Sequence, residues 1–153
     1  MTSTEEIERK FLVTGDEWKK KAGVPSHIVQ GYLARGRKAT VRVRIKDGKA
    51  ATLTIKSRES GISRAEYEYR IALKDAKALL QLCGSSRIEK QRYTLAQGKL
   101  TWEIDVFGGA HTGLVMAEVE LPAADHPVRL PSWLGEEVTD DPNYRNSALA
   151  SGI

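Results

Sequence analysis

The sequence predicts a mainly β (α+β) domain whose strands form a barrel around a charged interior. Charged residues recur at every second position of short segments, first in Glu6-Ile7-Glu8-Arg9-Lys10, and successive side chains of a strand point to opposite faces. The charges also come in like-signed pairs within one strand, as in Arg42-x-Arg44 and Glu66-x-Glu68. Like charges repel, so a solvated face gains nothing from this clustering, whereas a site for a metal and a polyanion does.

Eight segments have the alternating pattern of strands, and they lie at residues 5–11, 27–33, 40–46, 51–57, 64–72, 87–95, 100–107 and 115–121. Tight turns predict that neighbouring strands are antiparallel. Asp47-Gly48 supplies the positive φ of a two-residue hairpin, and Gln97-Gly98 is a weaker example. Residues 58–63 predict a longer loop.

Three helices are predicted between or after the strands. Thr14 with Glu17 three residues later is typical of a capping box at the start of a short helix. Apolar residues recur at helical spacing over residues 76–83, and Gly84 is placed to end that helix. A last short helix is predicted to begin near Pro142.

Composition and charge narrow the class of protein. With 153 residues, 41% hydrophobic and 29% charged, the sequence is typical of one globular domain, which we expect to span residues 1–153. It has no apolar run of about 18 residues, no basic and apolar start typical of a secretory signal, and a single cysteine, Cys83. We therefore expect a cytoplasmic protein with no membrane partner. The net charge of +4 suits anionic ligands without choosing among them.

The two faces of the predicted strands differ in chemistry. One face is charged, and the other is apolar and includes Tyr67, Tyr69, Tyr93 and Trp102, which we expect to lie beneath helices. A sheet with solvated charges outside and an apolar core inside is the common alternative. The like-signed pairs favour the charged interior.

The charged face resembles the CYTH superfamily, the triphosphate tunnel metalloenzymes. Glu6-x-Glu8-x-Lys10 is similar to the ExExK signature of that family. Further matches to its short bacterial members follow in order along the chain: Gln30-Gly31-Tyr32-Leu33, Arg42-x-Arg44, Leu53-Thr54-Ile55-Lys56, Arg64-x-Glu66-Tyr67-Glu68-Tyr69, Lys90-x-Arg92-Tyr93, Trp102-Glu103-Ile104-Asp105, Glu118-Val119-Glu120-Leu121 and Tyr144-x-Asn146. The resemblance implies a closed eight-stranded antiparallel β-barrel that forms a tunnel, with helices packed outside and a short C-terminal helix that can close one mouth.

The resemblance also implies the ligands of a divalent metal, Mg²⁺ or Mn²⁺, namely Glu6, Glu8, Glu118 and Glu120. Basic side chains that match phosphate geometry are the candidates for binding substrate: Arg42, Arg44, Lys56, Lys90 and Arg92, with Arg70 a weaker candidate. Four further acids on the charged face are candidates for binding a second metal or for pairing with arginines: Glu66, Glu68, Glu103 and Asp105. The three histidines are scattered, so the sequence does not predict a zinc site.

The predicted reaction is metal-dependent hydrolysis of a phosphoanhydride bond of inorganic tripolyphosphate. Lys10 and Glu8 are the predicted catalytic residues, with Lys10 hydrogen-bonding the attacking water or the phosphate under attack. Alternatives of the same fold are a thiamine triphosphatase, a nucleoside triphosphatase and an adenylyl cyclase. Other classes are a non-catalytic polyphosphate-binding module and a nucleic-acid-binding barrel. We expect a small anionic substrate and no nucleic-acid partner, and the sequence leaves the oligomeric state open.

Overall fold

The structure, a computed structural model, describes residues 5–57 and 63–150, so residues 58–62 of the predicted loop lie outside the described residues. It has two α-helices, α1 (Leu73–Cys83) and α2 (Asn146–Ala150), in these residues. Short 3₁₀ turns occupy Glu17–Lys20, Gly109–His111 and Pro142–Tyr144. The strands are β1 (Glu5–Val13), β2 (Ser26–Arg35), β3 (Ala39–Lys46), β4 (Ala50–Ser57), β5 (Ser63–Ile71), β6 (Arg87–Gln97), β7 (Leu100–Phe107), β8 (Val115–Glu120) and β9 (Leu134–Glu137).

Eight of these strands form a closed antiparallel barrel in the order β5-β4-β3-β2-β6-β7-β8-β1, and β1 returns to pair with β5. The predicted eight-stranded barrel is therefore confirmed. The closing pair is short, since only Glu5–Ile7 lie opposite Ser63–Ala65. Further along, the same side of β1 pairs with β9 at Phe11 and Val13. The sequence prediction missed β9, which has four residues, one of them a glycine, and no alternating pattern.

The hairpin turn and the helix end predicted from glycines have the expected backbone geometry. Asp47 and Gly48 both have positive φ, 55° and 65°, as a tight hairpin of this handedness requires. Gly84, with φ of 58°, ends α1. The predicted capping box is wrong, because the short helix is a 3₁₀ turn with no side-chain cap. The Thr14 hydroxyl instead donates to the carbonyl of Trp133, at 3.4 Å.

The apolar faces of the strands point outward, where helices and irregular segments cover most of them. α1 packs on β2, β3 and β4. It approaches β2 closely because Gly31 has no side chain: a Cβ there would lie only 2.7 Å from the Sγ of Cys83. On the other side of the barrel, Trp102 is fully buried in a second apolar cluster, which also contains Trp18 and Trp133. The barrel interior is thereby left to charged side chains, as the sequence predicts.

The outer surface of β5 is an exception. Tyr67 and Tyr69 are 43% and 53% exposed, so the expectation that helices cover them is wrong. The eleven residues of α1 contact β2, β3 and β4, and that helix has too little reach to cover β5 as well.

Tyr93 packs against Trp18 of the 3₁₀ turn Glu17–Lys20, and Trp102 packs against Trp133 of an irregular segment. Both are covered, but by other elements than the α-helices. No helix in the described ranges is long and apolar enough to cross a membrane.

Candidate active site

A polar cavity of about 160 Å³ occupies the interior of the barrel. It offers roughly ten times the space that a single buried water needs. All eight barrel strands and the segment at α2 contribute to its wall, through these side chains: Glu6, Glu8, Lys10, Tyr32, Thr40, Arg42, Arg44, Lys56, Arg64, Glu66, Glu68, Lys90, Arg92, Glu103, Glu118, Glu120, Arg145, Asn146 and Ser147. Acids and bases from distant parts of the sequence therefore meet in one enclosed space.

All of the predicted site residues except Asp105 and Arg70 lie on this wall. Asp105 is buried behind the wall, and Arg70, the weaker candidate, is exposed away from the cavity. The sequence prediction gave no role to five wall residues: Tyr32, Thr40, Arg64, Arg145 and Ser147. The period-two rule could have found two of them, because Thr40 and Arg64 precede the predicted residues Arg42 and Glu66 by two positions on the same face of a strand. Arg145 and Ser147 follow the barrel in a segment with no strand period, so no such signal marks them.

The acidic side of the cavity is formed where β1, β8 and β7 lie side by side. Glu8 is directly opposite Glu120, and Glu118 is opposite both Lys10 and Glu103. Like charges directly opposite each other are destabilising unless a cation lies between them. The Nζ of Lys10 lies 3.4 Å from Glu118 and 3.7 Å from Glu8, so one ammonium serves two carboxylates.

The two carboxylates beside Lys10 differ in protonation. Burial raises the pKa of Glu8 to about 7, and the charge of Glu118 adds to this effect. Burial also acts on Glu118, but Lys10 and Arg92 outweigh it and lower the pKa of Glu118 to about 2. Near neutral pH the pair therefore holds one fixed negative charge and one carboxyl group that can gain or lose a proton.

A second lysine repeats this arrangement next to the closing strand pair. The Nζ of Lys56 lies 2.9 Å from Glu6 and 3.5 Å from Glu66. Burial opposes the charge of both acids, yet the Lys56 ammonium keeps the pKa of Glu6 below its usual value. Burial and the charge of Glu6 raise the pKa of Glu66.

The two arginines of β3 point into the cavity beside few negative groups. Arg42 donates to the hydroxyl of Thr54, which donates in turn to Glu68, and the Arg42 guanidinium lies 3.6 Å from that carboxylate. Within the described residues, the Nε of Arg42 is buried without a hydrogen-bond partner, an arrangement that carries a free-energy cost. Burial, followed by the charges of Arg42 and Arg92, lowers the pKa of Arg44 to about 9. Both guanidiniums gain from an anion in the cavity.

Asp105 anchors two further cations from behind the wall. It accepts two hydrogen bonds from Arg92, at 2.8 and 2.9 Å, and lies 2.7 Å from the Nζ of Lys90. Burial lowers the pKa of Lys90 to about 7 in spite of this contact, while Lys90 and Arg92 hold the pKa of Asp105 well below its usual range. Of the two roles predicted for Asp105, the geometry matches an ion pair. Glu103 makes a longer contact of 3.4 Å to Arg92.

A hard divalent cation fits the donor chemistry of the acidic side, because carboxylate oxygens are the ligands that Mg²⁺ and Mn²⁺ prefer. Among residues 5–57 and 63–150, however, no three acidic, histidine or cysteine side chains already lie close enough together to hold an ion. Lys10 and Lys56 lie against these acids instead. Binding of a cation there therefore requires the lysines to exchange partners.

Comparison with known proteins agrees with this architecture. Residues 4–149 match the CYTH domain. An inorganic triphosphatase of Acetivibrio thermocellus is 46% identical over 146 residues, which are 94% of this chain and 92% of the relative. An inorganic triphosphatase of Nitrosomonas europaea is 39% identical over 153 residues, with 97% and 98% covered. The crystal structure of the inorganic triphosphatase NE1496 superimposes with a TM-score of 0.68 at 34% identity, over 96% of this chain and 98% of that one. The chain belongs to the CYTH domain family.

Proposed function

We propose that this chain is a metal-dependent triphosphatase that hydrolyses a phosphoanhydride bond of inorganic tripolyphosphate, with residues 1–153 acting as a single domain. One observation carries the proposal. A closed barrel directs the opposed carboxylates of Glu8 and Glu120, with Lys10 beside them, into the same cavity as a set of buried cations. Tripolyphosphate is a compact polyanion. Its hydrolysis needs cationic side chains that bind its oxygens and carboxylates that hold a metal beside them. Relatives at 46% and 39% identity bear the name inorganic triphosphatase.

The cations of the cavity bind the substrate in this proposal. Arg42, with its unpaired Nε, and Arg44 offer planar forks that match phosphate oxygens two at a time. Lys56, Lys90 and Arg92 add positive charge around the rest of the chain of phosphates. Because Arg42, Lys56 and Arg92 already pair with acids of the cavity wall, substrate exchanges one set of partners for another at these groups and the charge balance is kept.

The metal ligands in this proposal are Glu6, Glu8, Glu118 and Glu120. Mg²⁺ or Mn²⁺ held there supplies Lewis-acid charge neutralisation at the phosphate oxygens. The Nζ of Lys10 lies beside both Glu8 and Glu118, and in this proposal it acts as a hydrogen-bond donor to the phosphate under attack or to the attacking water. Glu66, Glu68 and Glu103 keep the cationic residues oriented when substrate is absent.

A phosphate-release assay over a small panel tests the proposal. Tripolyphosphate, ATP and thiamine triphosphate are each offered with Mg²⁺ and with Mn²⁺, and we expect tripolyphosphate to be cleaved fastest. Faster cleavage of ATP or thiamine triphosphate would assign the chain to the alternative substrates. Tight binding of tripolyphosphate with no cleavage under either metal would make it a polyphosphate-binding module.

Two substitutions test the assigned residues. Glu8→Gln and Lys10→Ala should each lower kcat by about 100-fold or more, because each removes a charge that acts on the transition state. Glu136→Gln is the matched control, since it removes the same charge from an exposed position on β9. Circular dichroism checks that the barrel is intact. A folded Glu8→Gln or Lys10→Ala protein with near-native rates would remove these residues from the site.

We also infer that nucleic acid is not a partner. Base stacking needs exposed aromatic rings beside basic groups. Tyr67 and Tyr69 are exposed, but they lie on the outer face of β5 while the buried cations face the cavity. Salt-sensitive binding of single-stranded RNA that is lost in Tyr69→Ala would contradict this inference.

A further inference from the structure

Gln30 of β2 is a fully buried polar side chain at the centre of the barrel, with 0% of its surface exposed. Its Oε1 accepts a hydrogen bond from the Nε of Arg44, at 2.8 Å. Its Nε2 donates to the hydroxyl of Tyr32 and to the Oδ1 of Asn146, both at 3.2 Å. A neutral amide buried among charges thus connects a cation of the cavity wall with the C-terminal helix.

Asn146, the first residue of α2, makes the matching contact from the other side. Its Oδ1 also accepts a hydrogen bond from the Nζ of Lys90, at 2.8 Å. The orientations of the two amides are fixed, because Arg44 and Lys90 can only donate, and so they must meet the oxygens of Gln30 and Asn146. The result is a continuous chain of hydrogen bonds from Arg44 through Gln30 and Asn146 to Lys90.

The helix that carries Asn146 is held firmly against the barrel. Ala150 is buried in an apolar cluster with Tyr32 and Phe107. His111 lies 2.7 Å from the carbonyl of Leu149, and Arg35 donates to the carbonyl of Ser147, at 3.2 Å. These contacts come from three parts of the barrel, so the position of Asn146 is set by the whole docked helix.

We propose that Gln30 and Asn146 are positioning residues whose amide bridge sets the Arg44 guanidinium and the Lys90 ammonium at the spacing needed to bind a linear polyphosphate. The inference rests on the proposed function and adds a role for the C-terminal helix. Both cations carry long, flexible side chains, and both lie in a region where burial lowers their pKa values. Gln30 holds Arg44 without neutralising it, so the charge of that guanidinium stays available to phosphate oxygens. Asn146 adds a neutral contact to Lys90 beside the ion pair of Lys90 with Asp105, and so fixes the direction of the ammonium without a second negative charge. A carboxylate in place of Gln30 would hold Arg44 equally well but compete with the substrate.

The affinity for tripolyphosphate measures this role directly. A hydrogen bond to a charged group contributes enough that its loss should weaken binding roughly 10- to 100-fold. We expect this loss in Asn146→Ala, which removes the acceptor of Lys90 and of Gln30. We expect a loss of the same order in Gln30→Met, which keeps the shape of the side chain but removes the link to Arg44. The change should lie in KM and Kd, with kcat affected less.

A double-mutant cycle separates a bridge from two independent contacts. If the bridge acts as one unit, Gln30→Met combined with Asn146→Ala costs little more than the larger single effect. Asn143→Ala is the matched control, because it removes the same amide from an exposed position of the same terminal segment. The Kd for tripolyphosphate is measured by calorimetry in EDTA, apart from the hydrolysis assay, and thermal melts check folding.

The outcomes distinguish this inference from the proposed function. A weaker Kd in both single variants, with strongly sub-additive coupling and an unchanged control, supports the bridge. Wild-type affinity in Asn146→Ala, or fully additive losses, overturns the bridge while hydrolysis by the wild-type protein leaves the proposed function standing. A wild-type protein that neither binds nor cleaves tripolyphosphate overturns both.

Discussion

Asp105→Asn removes the one negative charge shared by two buried cations, and its effect can be worked out from the structure. Asp105 is 3% exposed and Lys90 is 1% exposed, so water screens neither group. Asparagine has the same shape but cannot balance Lys90 and Arg92, which lie 2.7 and 2.8 Å from the carboxylate oxygens. Breaking a buried ion pair from one side costs about 3–5 kcal/mol. In a domain of this size that lowers Tm by roughly 6–20 °C.

The loss should depend on pH in a defined direction. Lys90, with its pKa lowered to about 7, is mostly protonated in the folded protein at pH 6 and mostly neutral at pH 8.5. In the wild-type protein the carboxylate therefore balances two cations at pH 6 but mainly the Arg92 guanidinium at pH 8.5. Urea unfolding at the two pH values should show a larger difference between wild type and variant at pH 6.

The measurement is made in EDTA, so that it also distinguishes the two roles predicted for Asp105. An ion-pair role requires the full loss of stability without metal, whereas a metal ligand would matter only when metal is present. Glu103→Gln is the matched control, because Glu103 contacts the same arginine at 3.4 Å with 41% of its side chain exposed, and such pairs contribute about 1 kcal/mol at most. A loss below about 1 kcal/mol in Asp105→Asn would refute the reasoning.

Three further predictions follow from the site and the packing. Arg44→Ala should raise KM for tripolyphosphate about tenfold or more, with the exposed Arg70→Ala as a control that leaves KM unchanged in the phosphate-release assay. Because the pKa of Glu8 is about 7 and metal ligands must be deprotonated, Mn²⁺ affinity measured by calorimetry should rise from pH 6 to pH 8 with release of protons; a flat profile would exclude Glu8 as a ligand. Gly31→Ala should destabilise the fold by about 1–3 kcal/mol through overpacking against Cys83, and adding Cys83→Ala should restore part of the loss seen in urea unfolding.

The period-two spacing of charges predicted the barrel interior because strand geometry alone decides which side chains share a face. Glu8, Lys10, Arg42 and Glu118 reach one cavity for that reason. The same rule could not separate Asp105 from the wall residues, because Asp105 and Glu103 share a face of β7. What separates them is depth and register, since Asp105 lies directly opposite Arg92 and is closed off by Lys90.

Contacts between distant segments were beyond the reach of sequence patterns. Gln30 and Asn146 are separated by 116 residues, and neither belongs to a charged pair. The exposure of Tyr67 depends on which strands α1 covers. The sequence predicts the length of this helix but not its direction across the barrel. β9 forms only because β1 runs past the end of its pairing with β5 and leaves backbone groups to be satisfied. The roles of the predicted metal ligands stay predictions.

The position of β1 in the barrel has a consequence for how the protein acquires activity. β1 is near the start of the chain, yet its partners are β5, β8 and β9, and Glu8 lies opposite Glu120. A ribosome must therefore complete most of the polypeptide before β1 can pair with β8 and β9, and pairings so distant in sequence form slowly. β8, the last of the eight barrel strands to be synthesised, carries Glu118 and Glu120, so the opposed pair Glu8 and Glu120 cannot form in a shorter nascent chain.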